Sequence, residues 1–220
     1  MANRFSGVIF DMDGLMLDTE KLLTRFWCEA AAFYGFYMTK QHVLGIRSLA
    51  AKYAEPHLKG IFGESFDYRA VRAKRIELMN AYIENNGIEK KQGLDELLES
   101  LSERGIKLAV ATATDRSRTQ MYLEKAGIIG YFDKLITGDM IQNGKPDPDI
   151  YITAAKQLGL ACGECIALED SPNGIRSAYD AGCKPIMIPD LSQPDENTKA
   201  LLYGCFSSLS ELCRQLDVLL

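Results

Sequence analysis

Two aspartates, Asp11 and Asp13, follow the short apolar run Val8–Phe10 in the stretch F-D-M-D-G. If extended backbone continues through them, both side chains leave on one face, because a strand alternates with a period of two. Gly14 then lets the chain turn away. Two carboxylates held this close do not both ionise comfortably unless a cation intervenes or one keeps its proton. That suits a nucleophile beside a general acid. Asp11 would attack phosphorus and form an aspartyl-phosphate; Asp13 would protonate the departing alcohol and later deprotonate the attacking water. Taken alone, D-x-D-G fits an Asp-rich surface turn equally well.

Other residues narrow the choice. Glu169 and Asp170 follow a different apolar run, Ile166–Leu168, and four acids converging on one edge call for a cation. Hard oxygen ligands favour Mg²⁺, with Asp11, Asp13, Glu169 and Asp170 as the candidate ligands. Such an ion neutralises Asp11 and orients a phosphoryl oxygen. Lys145, in G-K-P-D-P-D, lies just ahead of a helix start, where its charge can pair with both nucleophile and phosphate. Thr112 offers a hydroxyl and nearby backbone N–H groups to the transferring phosphoryl. Phosphoryl transfer needs positioning and charge stabilisation above all, and this set supplies both.

What must position these residues is a parallel sheet. Val8–Phe10, Leu108–Ala111, Leu135–Ile136, Ile166–Leu168 and Ile186–Ile188 are too continuously apolar for half-exposed strands and read as buried ones. Helical patterns separate them. Leu94, Leu97, Leu98 and Leu101 precede Gly105; Met121, Leu123 and Ala126 precede Gly127; Ile150, Ala154 and Leu158 precede Gly159; Ile175 and Ala178 precede Gly182. Ser171 can cap the last of these helices, with Pro172 at its first position. Alternating strands and helices with right-handed crossovers predict an α/β fold, a doubly wound parallel sheet in a Rossmann-like three-layer core. In such sheets ligands bind beyond the carboxyl ends of the strands, where these polar residues fall. From about Leu22 to Gly87 only helical patterns occur, first Leu22, Phe26, Ala30 and Phe33, then Val71–Ile83. This block reads as a small helical domain inserted after the first strand.

Composition bounds the rest. The chain has 220 residues, 47% hydrophobic and 25% charged, enough for a sizeable core without disulfides or a structural metal. A net charge of −5 gives no reason to expect nucleic acid as a partner, so an anionic substrate must find its positive potential locally. The one basic run, Arg69–Arg75, reads as a solvated helix face. No apolar stretch approaches a membrane span and the first residues lack a signal-peptide pattern, so a cytoplasmic protein with six free thiols is expected. Cys162 and Cys165 form a C-x-x-C, but with no second pair and only His42 and His57 available, a zinc site is not expected. The cap-region aromatics Phe33, Tyr34, Phe36 and Tyr37 read as core, with stacking on a base as the alternative.

The stretches VIFDMDGLMLDTE (8–20), LAVATAT (108–114), GKPDPDIY (144–151) and ALEDSPNGIRSAYDAG (167–182) resemble, in order, the motifs of the haloacid dehalogenase-like hydrolase superfamily. The branch is the one with a helical cap after the first strand, similar to β-phosphoglucomutase and small-metabolite phosphatases, pseudouridine-5′-phosphatases among them. The resemblance implies a core of residues 1–17 and 90–220 and a cap of 18–89. It also implies Asp11 as nucleophile, Asp13 as acid/base, and Thr112 and Lys145 as phosphate binders. Mg²⁺ would be bound by Asp11, the backbone carbonyl of Asp13 and Asp170, with Glu169 adjacent or one shell out.

Within the family, dehalogenation needs neither a second acid nor a metal, so Asp13 argues against it. A mutase of the β-phosphoglucomutase type carries a His where this chain offers Leu23, and its G-x-x-R element is displaced here, Gly45-Ile46-Arg47-Ser48 placing the Arg one position early. Hydrolysis of a small phosphorylated metabolite, a sugar phosphate or nucleotide-like monoester, is therefore expected, with the mutase as the alternative and Arg47 as a candidate substrate contact. A lidded site suits such a metabolite. A binding protein that kept the fold but lost turnover would lack a catalytic acid, and none is missing. A phosphorylated signalling receiver would lack both the helical insert and Asp13.

Overall fold

The computed structural model describes residues 5–219. Six parallel strands form one sheet: β1 (Gly7–Phe10), β2 (Lys107–Thr112), β3 (Lys134–Thr137), β4 (Cys165–Glu169), β5 (Lys184–Met187) and β6 (Gly204–Cys205), in the order β3-β2-β1-β4-β5-β6. The order reverses at β1, which pairs with β2 on one side and β4 on the other. Phe10 lies opposite both Val110 and Leu168, so Asp11, Ala111 and Glu169 follow at one level on neighbouring strands. This is the switch-point crevice at the carboxyl edge that an open α/β sheet offers to ligands.

Alternation along the strands builds two cores. Val8, Phe10, Leu108, Val110, Ile166 and Leu168 face one side, packing with Leu94, Leu97 and Leu101 of α5 (Leu94–Glu103) and Leu123 of α6 (Arg116–Lys125). Ile9, Ala109, Ala111 and Ala167 face the other, against Ile150, Tyr151, Ala154 and Leu158 of α7 (Asp149–Leu158) and Ala178 of α8 (Pro172–Asp180). All-parallel strands covered on both faces are buried throughout, hence their unbroken apolar runs. Ser171 caps α8 as expected, its hydroxyl accepting from the Gly174 N–H with Pro172 next. The four core helices stop ahead of the predicted glycines, as at Gly159, whose φ of 72° suits a residue without Cβ.

Between β1 and α5 lie four helices and no strand of the sheet: α1 (Glu20–Phe33), α2 (Lys40–Leu44), α3 (Ala51–Phe62) and α4 (Tyr68–Asn86). They share a separate apolar cluster that includes Trp27, Ala30, Val43, Leu58, Phe66 and Val71. Three short helices follow β5, α9 (Glu196–Lys199) before β6 and α10 (Leu209–Arg214) and α11 (Leu216–Leu219) after it. No helix among the described residues is long and apolar enough to cross a membrane. All six cysteines are free thiols, and burial pushes the Cys165 thiol up to about 12, an inert core group at the start of β4.

Several expectations need correction. Strand β6 has only two residues at the sheet edge and no apolar run to announce it. Ile188 lies beyond β5, although its N–H still donates to the Glu169 carbonyl at 2.8 Å. Of the cap aromatics only Phe36 packs inward, against Phe62 and Phe66; Phe33, Tyr34 and Tyr37 are exposed, and none of the four lines the central cavity. The Arg69–Arg75 run is not a uniformly solvated face. Arg75 is buried and Arg72 half-buried, because Arg75 falls on the stripe of Val71, Met79 and Ile83 that α4 turns inward.

Candidate active site

The ladder of β1 continues one residue past its end, the Asp11 N–H donating to the Leu168 carbonyl at 3.0 Å. That extension buries Asp11 in the crevice. One oxygen, Oδ1, accepts a hydrogen bond from the Lys145 ammonium; the other, Oδ2, is buried without a hydrogen-bond partner. Lys145 reaches the same point from the loop ahead of α7 and is itself only 1% exposed. Its Nζ also donates to the Ala111 carbonyl at 3.0 Å and to Glu169 Oε1 at 2.5 Å. Burial works against the ammonium, but Asp11 and then Glu169 outweigh it and hold Lys145 charged. Burial pushes the Asp11 carboxyl up, and Lys145 opposes that push.

Asp13 turns toward the same cavity and is held from two sides. The Thr19 hydroxyl donates to Oδ1 at 2.7 Å and the Thr114 hydroxyl to Oδ2 at 2.8 Å, with Thr112 at 3.5 Å. Thr112 is in turn fixed by the Thr114 N–H, which donates to its Oγ1 at 3.1 Å. Nothing in the sequence gives Thr19 or Thr114 a role, although both lie within the motif stretches. Their side chains meet Asp13 only once β2 and the start of α1 converge on the β1 loop.

Glu169 closes β4 with both oxygens committed. Lys145 and the Tyr151 hydroxyl (2.8 Å) donate to Oε1; the Ser171 hydroxyl (3.0 Å) and the Asp170 N–H (3.2 Å) donate to Oε2. Gly174 makes room for it, since a Cβ there would lie 1.8 Å from Oε1. Asp170 is fully buried, with Oδ1 unpartnered, and burial again pushes its carboxyl up, against Arg47. Carboxylate oxygens of Asp11, Glu169 and Asp170 lie within 4.8 Å of one another. Two buried oxygens without partners, on two adjacent acids, are the donor set that a hard divalent cation fits. Because the oxygens of Glu169 are already taken, Asp11 Oδ2 and Asp170 Oδ1 are the open ligand atoms.

Above this edge the helical insert closes a cavity of about 110 Å³. Asp11, Asp13, Thr112 and Thr114 line its floor; Leu23, Trp27, Arg47, Tyr68, Arg72 and Arg75 come from the insert, and Arg118 from α6. Arg47 binds the floor directly: Nη2 donates to the Asp170 carbonyl at 2.8 Å and to its carboxylate, and Nη1 to the Ser192 hydroxyl at 3.1 Å. Asn173 holds the Arg47 carbonyl at 3.1 Å. Glu20 lies 3.4 Å from Arg47 Nε, which is not hydrogen-bonded to it. Burial pushes the Glu20 carboxyl up to about 8 against that partial pairing. A second bridge closes the far side, where the Tyr53 hydroxyl donates to Asp147 at 2.5 Å and the Ala50 N–H to the Lys145 carbonyl at 3.2 Å.

The arrangement thus brings Asp11, Asp13, Thr112 and Arg47 to one cavity, with Lys145, Glu169 and Asp170 buried behind it in contact with Asp11 and Arg47. A family model described as haloacid dehalogenase-like hydrolase matches residues 8–188. The chain is 31% identical over 179 residues to a phosphorylated carbohydrates phosphatase of Thermotoga maritima, covering 81% of this chain and 82% of that protein. It is 30% identical to hexitol phosphatase A of Escherichia coli, with 84% and 83% covered. Among solved structures, CbbY from Rhodobacter sphaeroides in complex with phosphate superposes with a TM-score of 0.80 at 25% identity, over 94% of this chain and 96% of that one.

Proposed function

The chain belongs to the haloacid dehalogenase-like hydrolase family, and on that premise we propose that it is a phosphatase hydrolysing a small phosphate monoester, a sugar phosphate foremost, through an aspartyl-phosphate on Asp11. The carrying observation is the division of labour on Asp11, with one oxygen held by Lys145 and the other buried, unpartnered and at a cavity shared with Asp13. A carboxylate fixed in this way is positioned to attack phosphorus with little reorganisation.

In the first step the Asp11 carboxylate bonds to phosphorus through one oxygen, the ester P–O bond breaks, and the departing oxygen takes its proton from Asp13. In the second, Asp13 takes a proton from water, the water oxygen bonds to phosphorus, and the Asp11–phosphorus bond breaks to release phosphate. The Thr19 and Thr114 hydroxyls keep the Asp13 carboxyl oriented through both steps. Thr112 and Lys145 stabilise the charge spread over the phosphoryl oxygens. Mg²⁺, held by Asp11 and Asp170 with Glu169 behind them, supplies charge neutralisation and polarisation of the phosphoryl group when bound.

The insert, residues 18–89 in this proposal, acts as a lid over a core of 1–17 and 90–220. Its contacts with the core, Arg47 on Asp170 and Tyr53 on Asp147, support the reading of a lid that closes over the site and limits access of water. Arg47 lines the cavity beside Asp170 and is the lid residue we assign to the substrate. Sugar phosphates rank ahead of nucleotides because two relatives are named for carbohydrate or hexitol phosphates. The exposed Phe33, Tyr34 and Tyr37 cannot supply a base-stacking wall. A mutase is the weaker reading. Leu23 lines the cavity and has neither proton nor hydrogen bond to offer a sugar held for a second transfer.

The test is phosphate release from a panel of sugar phosphates, hexitol phosphates and nucleoside monophosphates, with Mg²⁺ and with EDTA. Release from a few members, lost with EDTA, supports the reading. Conversion of β-glucose 1-phosphate to the 6-phosphate without phosphate release would overturn it in favour of the mutase.

A further inference from the structure

Cavity residues from the lid and α6 carry more positive charge than the reaction requires. Three guanidiniums, Arg72, Arg75 and Arg118, line the cavity together. Of these, Arg118 alone has a carboxylate ion-pair partner among the described residues, its Nε donating to Asp115 at 2.7 Å. Arg72 makes no ion pair among the described residues. Arg75 is the telling one. It is 5% exposed, its Nε has no hydrogen-bond partner, and its Nη1 reaches nothing better than the Met79 sulfur at 3.8 Å. The guanidinium lies over the Trp27 ring at 5.4 Å, which holds it in place without neutralising it. Burial, then Arg118, then Arg72, push the pKa of its guanidinium down to about 10, which leaves it charged at neutral pH.

Among the described residues no carboxylate pairs with Arg75 directly, and Asp13 across the cavity only partly offsets its charge. Asp13 lines the same cavity, but threonines occupy both of its oxygens, and Glu20 stands against Arg47. A buried cation with no partner is costly unless something that binds later completes it. A guanidinium with free N–H groups is matched in shape and charge by a carboxylate or a phosphate. The transferring phosphoryl already has Thr112, Lys145 and the Asp11–Asp170 cation site on the floor.

We propose that the substrate carries a second anionic group, remote from the ester that is cleaved, and that Arg75, flanked by Arg72 and Arg118, is the subsite that holds it. The inference rests on the phosphatase reading and names its substrate class: small metabolites bearing one phosphate monoester and one further phosphate or carboxylate.

Binding to the Asp11→Asn protein with Mg²⁺, measured by calorimetry, separates this from turnover. Two matched pairs serve as probes: fructose 1-phosphate with fructose 1,6-bisphosphate, and glycerol 3-phosphate with 3-phosphoglycerate. In at least one pair the second anion should tighten binding by roughly tenfold or more, and the pair that responds identifies phosphate or carboxylate. Adding Arg75→Met should reduce that gain to within about twofold, and Arg75→Lys should retain part of it. Pairs that bind equally, a gain that survives Arg75→Met, or no binding by either member of both pairs would each overturn the proposal. If Arg75→Met weakened both members alike, the arginines would serve only the transferring phosphoryl, which also overturns it. Phosphate release by the native chain, assayed in parallel, keeps the two readings apart. Release without a binding gain sinks the subsite alone, whereas a gain without release from any panel member sinks the hydrolase.

Discussion

Asp11 and Lys145, 134 positions apart in the chain, form a buried ion pair at the carboxyl edge of the sheet, and the same ammonium reaches Glu169 at 2.5 Å. One cation therefore holds two buried acids that would otherwise repel each other. The pair orients the nucleophile and makes the charged crevice tolerable to the fold.

Removing that cation should damage stability as well as rate. Lys145→Met leaves Asp11 and Glu169 buried without their partner, a change that costs about 3–5 kcal/mol. Urea denaturation should show a correspondingly lower midpoint with an unchanged slope, and phosphate release should be lost. A variant as stable as the native chain would mean that the acids do not depend on Lys145.

Thr114→Val tests the positioning of Asp13. The carboxyl keeps Thr19 but loses the short donor at Oδ2, leaving only Thr112 at 3.5 Å, so kcat should fall by roughly 10- to 100-fold with KM little changed. Thr114→Ser, which restores the hydroxyl, should recover most of the rate. A KM effect alone would assign Thr114 to substrate binding.

Arg75→Met should stabilise the protein by about 1–2 kcal/mol, since an unpaired buried cation is replaced by an apolar side chain of similar length. Thermal and urea unfolding of the metal-free protein would show it. Clear destabilisation would mean that stacking on Trp27 outweighs the burial of charge.

Glu20 gives the stability a pH dependence. Burial pushes its carboxyl up to about 8 in the fold, against 4.5 ordinarily, because it favours the neutral form. Between those values the unfolded chain has released a proton that the folded one keeps. This contribution is fully present below pH 4.5 and is lost as the pH rises toward 8, by up to about 1.4 kcal/mol per pH unit. Glu20→Gln should remove it, so the melting temperature of the variant should gain on the native chain's from pH 5 to pH 8. Parallel curves would place Glu20 ionised in the folded state.

Much of this site was legible because its signals are local. The apolar runs end in acids, Ser171-Pro172 announces a helix start, and glycines mark where helices stop, so the sheet edge and Asp11, Asp13, Lys145 and Asp170 could be placed together. The grip of Thr19 and Thr114 on Asp13 was not legible, because it depends on α1 and β2 meeting at the β1 loop. The burial of Arg75 was hidden by composition, since R-A-V-R-A-K-R averages to a polar face. The signal was nonetheless there: Val71, Arg75, Met79 and Ile83 recur every fourth residue and put one arginine on an apolar stripe. The exposed Phe33 and Tyr37 erred the other way, because they fall at and just after the end of α1, outside the apolar cluster that the helices of the insert share.

The central claim is that phosphorus becomes bonded to Asp11 during turnover. Its most direct test is rapid acid quench of the native chain with Mg²⁺ and its best panel substrate, followed by mass spectrometry of the peptide that contains Asp11. The account predicts the mass of one phosphoryl group on Asp11 during the first turnovers and no adduct in Asp11→Asn. Phosphate release with no adduct on Asp11 at any quench time, or release that persists in Asp11→Asn, would contradict it.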